Sequence, residues 1–260
     1  MEERKHIVIL AAGDFPTHEV PLKALREADF VVCCDSAYER LQDYETTRLR
    51  DYETTRLQDN EVSSSRRLVD SLSFVVIGDG DSLSEEDKRQ LGDRWIHVAE
   101  QDYNDLHKAM AWATTHYPLS TTHFTILAAT GHREDHTLGN ISYLVTFAEE
   151  YPGIDLEMLT DYGRFIALDP TSHPSPFTSH LSPFTFHLPS FPRQQVSIFT
   201  MDPDRPIYSS GLRWPLDGFH ARRWWQASLN EALGTSFLLR SEGHLVVFQT
   251  HEPKAYNISC

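Results

Sequence analysis

Two carboxylates two residues apart in a glycine-rich turn can aim at one hard cation, and Gly78-Asp79-Gly80-Asp81-Ser82 has that spacing. Mg2+ takes oxygen ligands, accepts few carboxylates and fills its other positions with water and substrate phosphate. Glycines in such a turn let backbone approach a phosphate closely. An ordinary strand-to-helix turn can carry the same residues, so the neighbours decide. Asp105 and Lys108 stand i, i+3 near the start of a helix expected over Asn104–His116, so they share a face, and Leu106, Met110 and Ala113 mark the opposite one. Beside paired carboxylates they suit a metal and a phosphate. Arg133 offers a planar fork for a phosphate or carboxylate. Asp135 is either a ligand or the N-cap of the next helix. His132 and His136 are one turn apart, but no third zinc ligand is evident. A dinucleotide fingerprint and an EF-hand both fail at Leu83.

These residues need a scaffold, and the chain supplies an alternation. Apolar runs over His6–Ala12, Phe30–Cys34, Ser73–Ile77, Trp95–Val98, Phe124–Ala128 and Leu156–Thr160 read as strands. Helical stretches lie between them at Val20–Ala28, Ser84–Leu91, Asn104–His116 and Asp135–Tyr151. The pattern predicts an α/β fold with a mostly parallel sheet and crossover helices, followed by a smaller β-rich C-terminal domain. The C-terminal strands are expected at Val196–Thr200, Phe237–Arg240 and Leu245–Gln249, with Glu242-Gly243 as a hairpin turn between the last two. Every strand of the first part is followed at once by polar residues: Asp14, Asp35, Gly78–Ser82, Glu100–Asp105, Gly131–His136 and Asp161. In a parallel sheet those carboxyl ends lie on one edge, where such folds bind ligands.

Two repeats interrupt the alternation. One has period eight and starts at Arg40, Arg48 and Arg56; the other has period seven and starts at His173, His180 and His187. Period eight drifts about 80° round a helix per copy and makes no steady seam. The Pro- and Ser-rich second repeat suits an extended linker. The division expected is a catalytic domain over 1–169 with a repeat insertion at 40–63, a linker over 170–193 and a β-rich domain over 194–260.

The chain has 260 residues, with 38 acidic and 23 basic side chains, giving a formal charge of −15. That argues against nucleic acid and anionic membrane as partners. The surplus is uneven: residues 1–106 hold 24 acids and 13 bases, against 14 and 10 in the remainder. Cys33, Cys34 and Cys260 form neither a disulfide framework nor a zinc spacing, which suits a reducing cytoplasm. No targeting or spanning segment is evident.

Taken in order, the motifs resemble the thiamine pyrophosphokinase family. They are Asp35-Ser36-Ala37, Gly78–Ser82, Glu100-Gln101-Asp102-Tyr103-Asn104-Asp105-Leu106-His107-Lys108, Gly131-His132-Arg133-Glu134-Asp135-His136-Thr137-Leu138-Gly139-Asn140, Gly211-Leu212-Arg213-Trp214-Pro215-Leu216 and Leu229-Asn230-Glu231. The resemblance covers residues 6–249 outside the repeats. It implies Mg2+-dependent transfer of diphosphate from ATP to thiamine, giving thiamine diphosphate and AMP. It also implies a homodimer whose active site lies between the α/β domain of one subunit and the β domain of the other. It would place Mg2+ on Asp79, Asp81 and Asp105, ATP on Asp35, Gly78, Lys108, Gly131 and Arg133, and thiamine near Gln101, Asp135, Asn140, Ser228 and Asn230. Trp214, Trp224 and Trp225 are candidates to stack on thiamine, with a buried core position the commoner fate. This chain departs from the family pattern at Ser36 and His132, each in place of Gly, at Tyr38 in place of Asn, at Asn104 in place of Thr, and at Leu229 in place of Ser. Two rival readings are a nucleotide-sugar glycosyltransferase using the Asp79/Asp81 pair and a non-catalytic thiamine or nucleotide sensor.

Overall fold

The computed structural model describes residues 4–58, 72–170, 179–182 and 184–255. Six apolar runs form parallel strands: β1 (Lys5–Leu10), β2 (Phe30–Cys34), β3 (Phe74–Gly78), β4 (Trp95–His97), β5 (Thr122–Leu127) and β6 (Asp155–Leu159). They lie side by side in the order β6-β5-β1-β2-β3-β4. Ile7, Val8, Ile9 and Leu10 are all fully buried, as a strand covered on both faces requires. Ile7 and Ile9 share a core with Met110 and Ala113 of α4 (Asp105–His116) and with Leu144 and Phe147 of α5 (Glu134–Glu150). Val8 and Leu10 share another with Leu25 of α1 (Glu19–Arg26), Leu41 of α2 (Tyr38–Gln58) and Leu91 of α3 (Glu85–Leu91).

The same sheet continues beyond the parallel part. β7 (Gly163–Leu168) runs antiparallel on β6. β14 (Leu245–Pro253), β10 (Gln194–Thr200) and β12 (Asn230–Glu231) follow outward, making ten strands in the order β12-β10-β14-β7-β6-β5-β1-β2-β3-β4. A second, antiparallel sheet has the order β11-β13-β9-β8, from β8 (Ser179–Ser182), β9 (Thr185–Pro189), β11 (Tyr208–Ser210) and β13 (Ser236–Arg240). Phe186, Leu188, Phe237 and Leu239 of this sheet share a core with Ile166, Ile198 and Val247 of the large one. The fold is therefore a mostly parallel α/β sheet with a smaller antiparallel β-rich C-terminal part. No helix among the described residues is long and apolar enough to cross a membrane.

Four local differences have physical causes. Glu242-Gly243 is not a hairpin turn: β13 pairs with β9 and β11, and β14 with β7 and β10. Phe237 and Leu239 face Val247 across the inter-sheet core, so their strands must belong to different sheets. Part of the segment read as a linker is strand. Its Pro and Ser residues mask a period-two pattern in which Phe186 and Leu188 are buried. The first repeat is helical through Gln58, because a period of eight argues against a seam and not against a helix. Tyr38 and Leu41 bury its start, and Glu45 pairs with Arg48 one turn on. Finally, β7 follows β6 too closely for the expected pattern to register it. Residues 59–63, 173–178 and 183 of the two repeats lie outside the described residues.

Candidate active site

Asp35 stands just past β2 and is 2% exposed. Its Oδ2 accepts the Gly80 N–H at 2.9 Å, which ties the end of β2 to the turn after β3. A Cβ at position 78 would lie 2.4 Å from the Asp35 carboxyl, so only glycine passes there. In that turn Asp79 Oδ1 accepts the Asp81 N–H at 3.1 Å, and Asp79 Oδ2 accepts Gln101 Nε2 at 2.8 Å. Asn104 caps α4, its Oδ1 accepting the His107 N–H at 3.0 Å. The Asn104 Nδ2 donates to Asn140 Oδ1 at 3.2 Å, and Asn140 donates in turn to the Ala129 carbonyl at 2.8 Å. The cap thus joins the loops after β4 and β5. It also sets Asp105 and Lys108 on one face, where Lys108 Nζ donates to Asp105 Oδ1 at 3.3 Å. Sequence alone leaves Lys108 as readily solvated as bound, but it is buried.

The electrostatics follow from this crowding. Burial pushes the Asp35 carboxyl up, and the nearby Asp105 charge adds to it, while the Gly80 and Ser36 N–H groups pull it back. Gln101 and the Asp81 N–H hold Asp79 low, with Lys108 assisting. Burial raises the Cys33 and Cys34 thiols, which keeps both protonated and unreactive.

The turn after β5 is built differently. Arg133 Nε and Nη2 donate to Asp135 Oδ1 and Oδ2 at 3.1 and 2.6 Å, a two-pronged pair on the surface. The bonds to Arg133 hold Asp135 low, and the same bonds raise Arg133. Asp135 is not the N-cap of α5. That position is Arg133, and Asp135 lies inside the first turn, where a negative charge suits the helix dipole. Gly131 has φ +85°, and a Cβ there would meet the Asp14 carboxylate at 2.0 Å. His132 next to it is also left-handed, at φ 58°. Its Nε2 lies 2.6 Å from Arg40 Nη2 and 3.2 Å from Asp14 Oδ1. Arg40 also donates to the Gly13 carbonyl. Arg40 opens the first repeat, which masks it among residues of tandem origin. Its place five residues beyond Asp35 is the signal that the repeat obscured.

Ser228 and Asn230 stand elsewhere. Asn230 lies on β12, eight strand spacings from β3. At about 4.8 Å per strand that is roughly 38 Å along the sheet. Its side chain is committed: Oδ1 accepts the N–H groups of Trp214 and Glu231, and Nδ2 donates to the Trp214 carbonyl at 2.7 Å. Ser228 Oγ donates to the Trp225 carbonyl at 2.7 Å. Trp214, Trp224 and Trp225 are 52%, 49% and 73% exposed, so none is a core residue. Within one chain these residues do not meet Asp79.

The donor set suits a hard cation in part. One buried lysine faces Asp79 and Asp105, with Asp35 behind them, so negative charge is in excess. No three His, Cys, Asp or Glu side chains among the described residues are already gathered as a metal cage. Mg2+ needs only one or two carboxylates when phosphate and water complete its shell, so the residues fit that ion arriving with a phosphate ligand.

An acidic, lysine-bearing sheet edge with an arginine fork suits a ligand that carries phosphate, and comparison with known proteins gives the class, the kinase-class transferases, and with it the family. Residues 22–156 match the thiamin pyrophosphokinase catalytic domain, and residues 177–248 match the thiamin pyrophosphokinase substrate-binding domain. The chain belongs to the thiamin pyrophosphokinase family. Solved structures agree on the fold. Thiamin pyrophosphokinase from Candida albicans has a TM-score of 0.69 at 16% identity, covering 96% of this chain and 93% of that one. A thiamin pyrophosphokinase family protein from Enterococcus faecalis gives 0.67 at 18%, covering 95% and 100%. Thiamine pyrophosphokinase from Bacillus subtilis gives 0.66 at 18%, covering 95% and 99%. Among curated proteins, none matches the chain by sequence.

Proposed function

We propose that the protein transfers the diphosphate of ATP to the hydroxyl of thiamine, releasing AMP. The observation that carries this reading is the meeting of the family's catalytic-domain match with the interlocked edge of Asp35, Asp79, Asp105 and Lys108. The thiamine oxygen attacks the β-phosphorus in line. The new O–P bond forms as the bond from the β-phosphorus to the bridging oxygen of AMP breaks, and the hydroxyl loses its proton. Lys108 neutralises phosphate charge from a buried position, where a fixed charge acts strongly. Arg133 exchanges Asp135 for a phosphate oxygen, which leaves the Asp135 carboxylate to face cationic thiamine or to take the hydroxyl proton; Asp105 is the other candidate for that proton. Gly78 and Gly131 let the backbone approach the nucleotide. Asp79, Asp81 and Asp105 would hold Mg2+, which when bound offsets the negative charge of the polyphosphate.

The thiamine end is proposed to come from a second subunit. The distance between Asn230 and Asp79 favours this, as does the exposed apolar surface of Trp214, Trp224, Trp225, Leu229 and Leu233. Ser228 and Asn230 would then shape the loop that carries Trp214 and Trp225 toward the partner's thiamine. Buried thiols at Cys33 and Cys34 suit a cytoplasmic setting.

Incubation with thiamine, ATP and Mg2+ tests the reaction: AMP and thiamine diphosphate should appear in equal amounts. Calorimetric binding of either substrate with no turnover would instead favour a sensor.

A further inference from the structure

Arg40, His132 and Asp14 form a cluster at the carboxyl edge that the reaction as described does not use. Arg40 is the third residue of α2, and its guanidinium reaches back over the end of β1 to the Gly13 carbonyl. His132 Nε2 stands 2.6 Å from Arg40 Nη2 and 3.2 Å from Asp14 Oδ1. That nitrogen cannot serve both neighbours. A guanidinium only donates and a carboxylate only accepts. If Nε2 accepts from Arg40, it carries no proton for Asp14. If it carries the proton, it meets Arg40 donor to donor. One contact is therefore unsatisfied in either tautomer. The histidine also occupies a left-handed backbone position, φ 58°, next to Gly131 at φ 85°. Histidine enters that region more readily than most side chains, but a glycine would sit there with less strain. A strained residue in an unsatisfied contact at a ligand edge is a feature of a site whose remaining partner arrives from outside.

We propose that Arg40 is a further polyphosphate-binding residue of this edge and that His132 is its positioning residue. The proposal rests on the reading that the edge binds ATP. When a phosphate oxygen takes the Arg40 Nη2–H that faces His132, His132 Nε2 is released to carry its proton in the other tautomer and to hydrogen-bond Asp14 as donor. All three groups are then satisfied at once: phosphate on Arg40, Asp14 on His132, and Gly13 still on Arg40. Arg133 grips the polyphosphate from the start of α5 and Arg40 from the start of α2, so the two arginines approach it from helices on opposite faces of the sheet.

The test uses the full chain. ATP and inorganic tripolyphosphate, each with Mg2+, are titrated by calorimetry into wild type, Arg40→Met, His132→Gly and His132→Gln. Turnover and thermal midpoints are followed in parallel. Arg40→Met should weaken both ligands at least tenfold and raise KM for ATP similarly, leaving KM for thiamine within twofold. His132→Gly should weaken both ligands three- to tenfold without lowering the thermal midpoint. His132→Gln, whose amide Nε2–H reaches where the imidazole Nε2 stood and can donate to Asp14, should recover at least half of that loss on a logarithmic scale. ATP and tripolyphosphate binding within twofold of wild type in Arg40→Met would overturn the Arg40 assignment. A His132→Gly protein that binds as wild type and melts higher would leave His132 as a strained loop residue only, and would overturn its positioning role. If wild type binds ATP but makes no thiamine diphosphate, the proposed reaction fails while the Arg40 assignment is still decided by binding.

Discussion

The two halves of the sheet edge are held in opposite ways. Around β2, β3 and α4, Asp35, Gly78, Asp79, Gln101, Asp105 and Lys108 are fixed by one another before any ligand arrives. Around the β5–α5 turn, the exposed side chains of Arg133 and Asp135 hold each other, and Arg40, His132 and Asp14 share one nitrogen among three groups. The first half is preorganised, as the proposed reaction would require of groups that stabilise developing charge. The second half must exchange partners to bind anything. A rigid half suits charge stabilisation, and an exchanging half suits entry and release of a charged substrate.

That contrast can be broken by measurement. The largest effects belong to the rigid half. Lys108→Ala, and Asp81→Asn in the turn whose backbone Asp79 holds, should each lower turnover at least about a hundredfold, as loss of one electrostatic partner does; near wild-type rates in steady-state assays would remove either residue from the reacting centre. Gly78→Ala should destabilise the fold by about 1–3 kcal/mol, the usual cost of overpacking, because its Cβ meets the Asp35 carboxyl. Urea unfolding reads this, and an unchanged midpoint would show that Asp35 can move aside. Arg133→Ala belongs to the exchanging half. It should raise KM for ATP about tenfold, the loss of a charge-assisted pair, with an unchanged thermal midpoint, because Asp135 remains solvated without it.

The smallest effect sharpens the comparison through pH. Asp35 titrates above its ordinary value in the folded state, so its ionisation opposes folding. Wild-type stability from this group is fully present below the unfolded carboxyl value of about 3.9 and is lost as pH rises through the raised folded value. Asp35→Asn keeps an acceptor for the Gly80 N–H and has no charge to bury. Its thermal midpoint relative to wild type should rise from pH 4 to pH 8. A pH-independent difference would mean that Asp35 is relieved of charge some other way.

The parallel half of the fold was legible because each strand is a short apolar run ending in polar residues. Phe30–Cys34 needs no adjustment, and Asn104 and Ser84 fall where their caps are. The antiparallel half was less legible. Strands such as Thr185–Pro189 carry two buried residues inside a Pro- and Ser-rich repeat, and Gly163–Leu168 follows β6 after a turn too short to punctuate the pattern. In the candidate site, the pairing of Asp105 with Lys108 was readable from their i, i+3 spacing. The exposure of the three tryptophans was not, because an indole carries the same composition signal in a core as on a surface. Arg40 was hidden for another reason: it belongs at once to a repeat and to the edge.

That double membership has a consequence for how the chain can vary in length. The helix that begins at Tyr38 is pinned at its first turns by Tyr38, Arg40 and Leu41 and runs away from the sheet edge. One more eight-residue copy would extend it by about 12 Å at the far end. Arg40 would not move. The helix is a ruler with its zero fixed at the carboxyl edge of the sheet, so gain or loss of whole copies is read at the far end and leaves Arg40 in place.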